Sequence, residues 1–280
     1  GLIGGSLVGL GFSLIARTYQ PDRTFGVLLV VQFGLGGLGI MFIPGLVPAW
    51  GTQVLFYSLV AFSLVTFVML PFLPEYPIPD TSEDEKQTGK ARILLIPLCL
   101  ALGTIFLFQA ANMGLFAFII ALGEFYNLEL DFISTTLGIS NWLGILGAGL
   151  VVAIGSRYGY VKTLLGGMLV TGIAIWALLY SHVPWIWIVS NCTIGITWGF
   201  TISYLLGLAS RFDESGQMAA LGGFASKMGL ASGPAVTALL LGEDNYPLII
   251  WVGAVAMMAT VFVMWVPARY QDRKIAGKEA

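Results

Sequence analysis

Apolar, uncharged stretches of about 20 residues recur along this chain, separated by short clusters of proline, glycine and charge. Nine can be marked out, at roughly 1–16, 25–48, 52–73, 93–121, 132–154, 161–181, 184–208, 217–241 and 247–266. About 20 mostly apolar residues carry a helix across the core of a bilayer. The apolar positions run on rather than alternating. The pattern therefore predicts helices, which satisfy their own backbone groups in lipid, and not a barrel. Pro48-Ala49-Trp50-Gly51-Thr52 divides the second stretch from the third, and Ser181-His182-Val183-Pro184 divides the sixth from the seventh. Connections this short make neighbouring helices antiparallel. The expected fold class is an all-α polytopic membrane protein.

Nine spans give loops that alternate between two sides, and the charges sort with them. One side collects Arg17, Arg23, Lys86, Lys90, Arg92, Arg157, Lys162, Arg211, Arg269, Arg273, Lys274 and Lys278, twelve of the 13 basic residues. The other side has Glu124, Glu129, Asp131, Glu243 and Asp244 and no lysine or arginine. The positive-inside rule makes the first side cytoplasmic. The remaining basic residue, Lys227, falls inside a span. The chain is expected in a plasma membrane of the bacterial inner type, with its C-terminus in the cytoplasm.

Composition agrees with this picture. The chain is 57% hydrophobic and 10% charged, with mean hydropathy +0.88, where soluble domains carry about 25% charged residues. There is no basic patch for nucleic acid, and no nucleotide-binding Gly-x-x-x-x-Gly-Lys-Ser/Thr loop. Cys99 and Cys192 sit in apolar runs and read as small buried hydrophobes. With one histidine, His182, no histidine-based metal site is expected, and no cofactor is called for. An enzyme would need a nucleophile, a metal set or an acid–base pair at reachable spacing. None is legible, so no catalytic residue is assigned.

One stretch is polar. Pro74–Arg92, with Glu83-Asp84-Glu85-Lys86-Gln87-Thr88-Gly89-Lys90 inside it, reads as a solvated cytoplasmic linker. Three spans precede it and six follow. The organisation expected is 1–73 as three helices of an N-terminal half, 74–92 as linker, 93–267 as a six-helix C-terminal half and 268–280 as tail. The chain opens with Gly1 inside an apolar run, as a truncated six-plus-six arrangement would.

The fifth and sixth spans are joined by Gly155-Ser156-Arg157-Tyr158-Gly159-Tyr160-Val161-Lys162. This resembles the short cytoplasmic loop of the major facilitator superfamily, which runs Gly-x-x-x-Asp-Arg-x-Gly-x-x-basic. Arg157, Gly159 and Lys162 match. Val152 stands in place of the leading Gly, and Ser156 in place of the Asp. The loop Arg211-Phe212-Asp213-Glu214-Ser215-Gly216-Gln217 and the Gly-rich helix ending at Gly233-Pro234 are also similar to that family, and Arg17-Thr18-Tyr19-Gln20-Pro21-Asp22-Arg23 holds the equivalent place in a six-helix repeat. The resemblance makes the nine spans helices four to twelve of twelve. It implies a monomeric secondary transporter of a small organic solute, working by alternating access on a gradient, either coupled to a proton or ion or as a uniporter. Arg157, Gly159, Lys162, Arg211 and Asp213 become candidate conformational-loop residues. A non-transporting receptor or scaffold on the same fold, and a drug-type exporter, are the alternatives.

Polar groups inside spans should mark the solute path. Lys227 lies about ten residues into its span, roughly 15 Å deep. It shares a face with Gly216, Ala220, Gly223, Ala231, Pro234 and Ala238, all small. It either binds an anionic or zwitterionic solute or exchanges a proton, or else it snorkels to the surface. Gln109 and Asn112 share a face near Phe108 and Phe116, as a solute wall or as interhelical hydrogen bonders. Asn141 beside Ser140, Asn191 with Gly195 and Trp198, and Gln32 ahead of Gly34, Gly36, Gly37 and Gly39 complete the candidates. The row Thr193, Thr197, Thr201 and Tyr204 is expected to be structural, because threonine hydroxyls return to their own helix carbonyls.

Overall fold

The structure is a computed structural model that describes residues 2–72, 88–212, 216–242 and 244–279. Ten α-helices run through them: α1 Leu2–Ala16, α2 Pro21–Trp50, α3 Gln53–Met69, α4 Thr88–Phe116, α5 Ile119–Phe125, α6 Leu130–Ile154, α7 Tyr160–Ala177, α8 Pro184–Ser210, α9 Gln217–Leu241 and α10 Tyr246–Glu279. No strand occurs among the described residues. Eight of the nine apolar stretches appear as one α-helix each, and the stretch at 93–121 appears as two. Six helices, all from Leu95 onward, are long and apolar enough to cross a membrane.

The tenth helix is the short α5. The stretch marked at 93–121 breaks after Phe116, and the chain restarts at Ile119 with Phe118 as its non-helical cap. Two boundaries extend further than the charges suggest. Helix α4 already begins at Thr88, inside the expected linker, and α10 runs through the expected tail to Glu279. Lys, Arg, Ala and Gln are good helix formers, so a polar segment continuing a helix need not unwind at the water. The centre of the linker, 73–87, and Asp213 lie outside the described residues.

The six helices α4 and α6–α10 pack on one another as a group, termed the C-terminal half. Its main contacts are α4 on α9, α6 on α8, α4 on α10, α7 on α8, and α7 on α10. Exchanging α4 with α8, α6 with α9 and α7 with α10 maps this set onto itself. Three helices per unit reverse the direction of the second, so the half is built as an inverted repeat.

Both members of the repeat use the same close crossing. On α8, a Cβ added at Gly199 would stand 2.5 Å from the Gly144 carbonyl oxygen of α6, and one at Gly195 would strike the Ser140 backbone. On α9, Gly229 and Gly233 meet the backbone of α4 at Phe106 and Ala110, and a Cβ at Gly114 would stand 2.5 Å from Thr237 Oγ1. Small residues four apart let two backbones touch, which is how helices associate where lipid removes the hydrophobic drive.

The N-terminal helices meet this half through α2, which lies on α6 and α8, and through α1, which lies on α9. Helix α3 touches α2 and otherwise leaves Phe56, Leu59, Val60, Leu64, Val65 and Phe67 exposed.

Gly233→Val should force α4 and α9 apart and cost about 1–3 kcal/mol of stability. Gly149→Val, with nothing within 4 Å of its added Cβ, should leave thermal unfolding of the detergent-solubilised protein unchanged.

Candidate functional site: a two-sided cavity above a charged clamp

Between α2 and the C-terminal half lies a cavity of about 350 Å³, within the range of small-molecule sites. Helix α2 contributes Gln32, Phe33 and Gly36. Helix α4 contributes Asn112, Met113 and Phe116, and α6 contributes Ser140 and Asn141. Helix α8 contributes Asn191, Ile194, Gly195 and Trp198, and α9 contributes Leu230. No charged side chain is among them. Phe116, at the end of α4, is half exposed and sits at the rim. A second depression, on α3 between Leu59 and Phe67, is an open apolar face of one helix with no convergent polar groups.

The aromatic wall is held from both sides. Phe33 of α2 meets Trp198 of α8 edge to face, with centroids 5.5 Å apart. The Trp198 indole Nε1 donates to Gln109 Oε1 at 2.8 Å, and Gln109 Nε2 donates to Ser226 Oγ of α9 at 2.8 Å. Both ends of the Gln109 amide are thus engaged between helices. Gln109 does not line the cavity; it orients the tryptophan that does.

Asn112 and Asn191 use one local device. Each donates its Nδ2 to the carbonyl four residues earlier, Phe108 at 2.8 Å and Trp187 at 2.9 Å. That bond fixes the amide orientation, since a flipped amide would set oxygen against oxygen. The carbonyl oxygens are the ends left over. Asn112 is 8% exposed, and its Oδ1 has no hydrogen-bond partner. A buried acceptor left unmatched costs about 1–3 kcal/mol. Ser140 Oγ donates across to the Asn191 backbone carbonyl at 2.6 Å, tying α6 to α8 at the cavity wall. The amides of Gln32 and Asn141 hold no hydrogen bond among the described residues.

The structure thus brings Gln32, Asn112, Asn141, Asn191 and Trp198 together, with Gln109 one bond behind. Lys227 stays apart. It is exposed on α9, one turn beyond Gly223, whose added Cβ would stand 2.7 Å from Phe12 of α1. It borders no part of the cavity. Sequence depth placed Lys227 correctly near mid-helix but could not say which side of α9 faces the cavity. In the threonine row, Thr197 returns to the Thr193 carbonyl as expected and also accepts from Thr171 of α7, whereas Thr201 Oγ1 is buried without a partner among the described residues.

At the end bearing the basic loops, the two halves are clamped. Asp22, the second residue of α2, is 1% exposed. Its carboxylate accepts from Tyr160 Oη at 2.6 Å and from Arg211 Nη2 at 3.1 Å, and Arg211 Nε donates to Tyr160 Oη at 2.9 Å. Gly207 of α8 makes the room, since a Cβ there would overlap the Asp22 carboxylate. Burial disfavours the Arg211 charge, but Tyr160 and Asp22 outweigh it and hold the guanidinium above its usual pKa. Tyr204 Oη donates to the Gly155 carbonyl at 2.6 Å. Asp272 of α10 caps α7, accepting from the Tyr160 and Val161 amides at 2.6 and 3.0 Å. A carboxylate is favoured there by the exposed N–H groups. Gly159, at φ +75°, allows this approach, because an added Cβ would lie 2.9 Å from Asp272.

Of the loop candidates, Arg211 and Gly159 thus belong to the clamp, while Arg157 and Lys162 are exposed and hydrogen-bond to none of the described residues. The sequence reading passed over Asp22, Tyr160 and Asp272. Asp22 and Asp272 had one signal, as acidic residues in a set of loops otherwise rich in arginine and lysine, and Tyr160, though inside a loop motif, had none of its own.

A polytopic bundle built from inverted three-helix units, with a cavity of amides and aromatic rings beside them, has the architecture of a membrane transporter. Residues 1–226 match the Major Facilitator Superfamily, and the chain belongs to that family. No curated protein sequence matches the chain.

Asp22→Ala should destabilise the protein on the order of 2 kcal/mol. Arg211 is 26% exposed at its side chain, so the loss falls short of the roughly 3–5 kcal/mol of a fully buried pair. Asp22→Asn combined with Arg211→Gln should recover part of that loss, read as a positive coupling in a double-mutant cycle of thermal unfolding.

Proposed function

We propose that this protein is a secondary transporter that moves a small organic solute by alternating access, with the cavity as its solute site and the basic end as the cytoplasmic side. The observation that carries this reading is the placement of cavity and clamp on the same two elements. Helix α2 holds Gln32 and Phe33 at the cavity and Asp22 at the clamp, while α8 holds Asn191 and Trp198 at the cavity and Gly207 at the clamp. The conformation described is the one closed at the basic end. Parting Asp22 from Arg211 and Tyr160 would open a path from the cavity to that side. The clamp suits a reversible closure, because its charges can rehydrate when the halves part. A proton or ion that drives such a cycle would act outside this lining, which has no ionisable side chain among the described residues.

The test needs no known solute. In vesicles holding the protein with Cys99 and Cys192 replaced, a single cysteine at Asn141 should react with a membrane-impermeant thiol reagent from both sides. A second pair, Gly26→Cys with Val152→Cys, bridges α2 and α6 near the clamp, where a Cβ on Gly26 would lie 3.0 Å from Val152 Cγ2. Oxidising that pair should abolish labelling from the basic side and leave the opposite side open, with reductant restoring both. A cysteine at 141 unreactive from both sides would remove the cavity from the solute path. Unchanged labelling after cross-linking would remove the rocking of the halves.

A further inference from the structure

We infer that the cavity selects an uncharged solute that brings hydroxyl hydrogens to Asn112 and Asn191 and a ring face to Phe33, Phe116 and Trp198; this rests on the cavity being the solute site. Three observations carry it. First, the cavity holds an unmet acceptor. Asn112 Oδ1 is buried and has no partner, and the bond from Nδ2 to the Phe108 carbonyl prevents the amide from turning its donor there instead. Second, the cavity donors on α4 and α8 and the Ser140 hydroxyl of α6 are already engaged, whereas the unbonded amides of Gln32 and Asn141 can turn either end to a solute. The Trp198 indole, the Ser140 hydroxyl and the Nδ2 groups of Asn112 and Asn191 each hold a protein acceptor. The unmet need at this wall is for a hydrogen donor. Third, among the described residues no lysine, arginine, aspartate or glutamate lines the cavity. A carboxylate or phosphate would face carbonyl oxygens with no cation to answer it, and an ammonium would lose its water with no anion to replace it.

The anionic preference that Lys227 suggested in the sequence has no counterpart at this wall. A site built to hydrogen-bond a substrate hydrogen rejects analogues that lack it more strongly than a greasy pocket rejects a change of shape. Aromatic walls add area against the apolar face of a ring without asking for charge. Together these describe a hydroxylated ring compound, neutral at physiological pH.

The probes are four methanethiosulfonate reagents of similar size, applied to the single cysteine at Asn141 in otherwise cysteine-free protein. They end in a hydroxyl, a methoxy, a sulfonate and an ammonium group. Each rate is divided by that reagent's rate with a free thiol. The hydroxyl reagent should outpace its methoxy counterpart roughly threefold to tenfold, the worth of about one net hydrogen bond. Both charged reagents should be slower than the hydroxyl reagent by tenfold or more. Asn112→Leu, which keeps the volume and removes the acceptor, should bring the hydroxyl and methoxy rates together. Equal rates for hydroxyl and methoxy reagents in the starting protein would overturn the donor requirement, as would a preference that survives Asn112→Leu. A sulfonate or ammonium reagent as fast as the hydroxyl one would overturn the neutral class. If no reagent reacts, the cavity is closed to solute and the transport reading fails with it. If all four react alike, the transport reading stands and the solute class falls.

Discussion

In lipid, two apolar helices gain little by exchanging tails for each other, so what holds a helix bundle together is how closely its backbones can approach. Here that constraint is met twice in the same way. Gly195 and Gly199 bring α8 onto α6, and Gly229 and Gly233 bring α9 onto α4. The remaining contacts of the C-terminal half are arranged about these crossings, with α7 and α10 completing the pair of three-helix units. The crossings also position the site. Gly195 lies at the cavity wall between Asn191 and Trp198, and its contact with Ser140 sets the distance across which the Ser140 hydroxyl reaches the Asn191 carbonyl. Removing side-chain bulk at the crossing thus turns the polar face of α8 toward α2.

The join between the halves has a different character. Around Asp22 it is polar and buried, made by one carboxylate against a phenol and a guanidinium from separate elements. A buried pair of this kind is weak as a source of net stability, since desolvation offsets much of its attraction. It is strong as a determinant of register, because a displaced partner leaves a charge unmatched. The glycine crossings within the half show the opposite balance, with broad contact and no charge. In the proposed cycle the halves would therefore part at the basic end while each contact within the six-helix half is kept.

How much of this the chain discloses depends on the scale of the feature. The helices are legible because nine apolar stretches bounded by proline, glycine and charge leave a membrane-spanning chain few alternatives. The amides of the cavity are legible for a related reason: amide side chains deep inside spans are few, and Gln32, Asn112, Asn141 and Asn191 are all of them but Gln109. Which face of a helix looks inward is not legible when the helix is apolar or small all round. That is why depth alone did not disclose that Lys227, on the small-residue face of α9, borders no part of the cavity. Gln109 shows the same limit, since depth and chemistry match its neighbours but its amide is used between helices. The clamp is the hardest to read. Asp22, Tyr160, Arg211 and Asp272 are distant in sequence, and a charged residue at a helix end looks solvated until the fold buries it.

Rigid helices link the clamp to the cavity. From Asp22 to Phe33 is eleven residues of α2, about 16 Å along one helix, and α8 runs between the same two levels from Trp198 to Gly207. In the proposed cycle a solute touching Phe33 and Trp198 contacts one residue from each half. It can shift the equilibrium only through a difference in affinity between the closed and open arrangements. An acceptor such as Asn112 Oδ1 provides that difference if a donor meets it while the halves are together and water replaces the donor when they part. The polar groups of the cavity would then act as more than a recognition surface. Their unmatched state in the closed form would be what makes that form sensitive to the solute's presence.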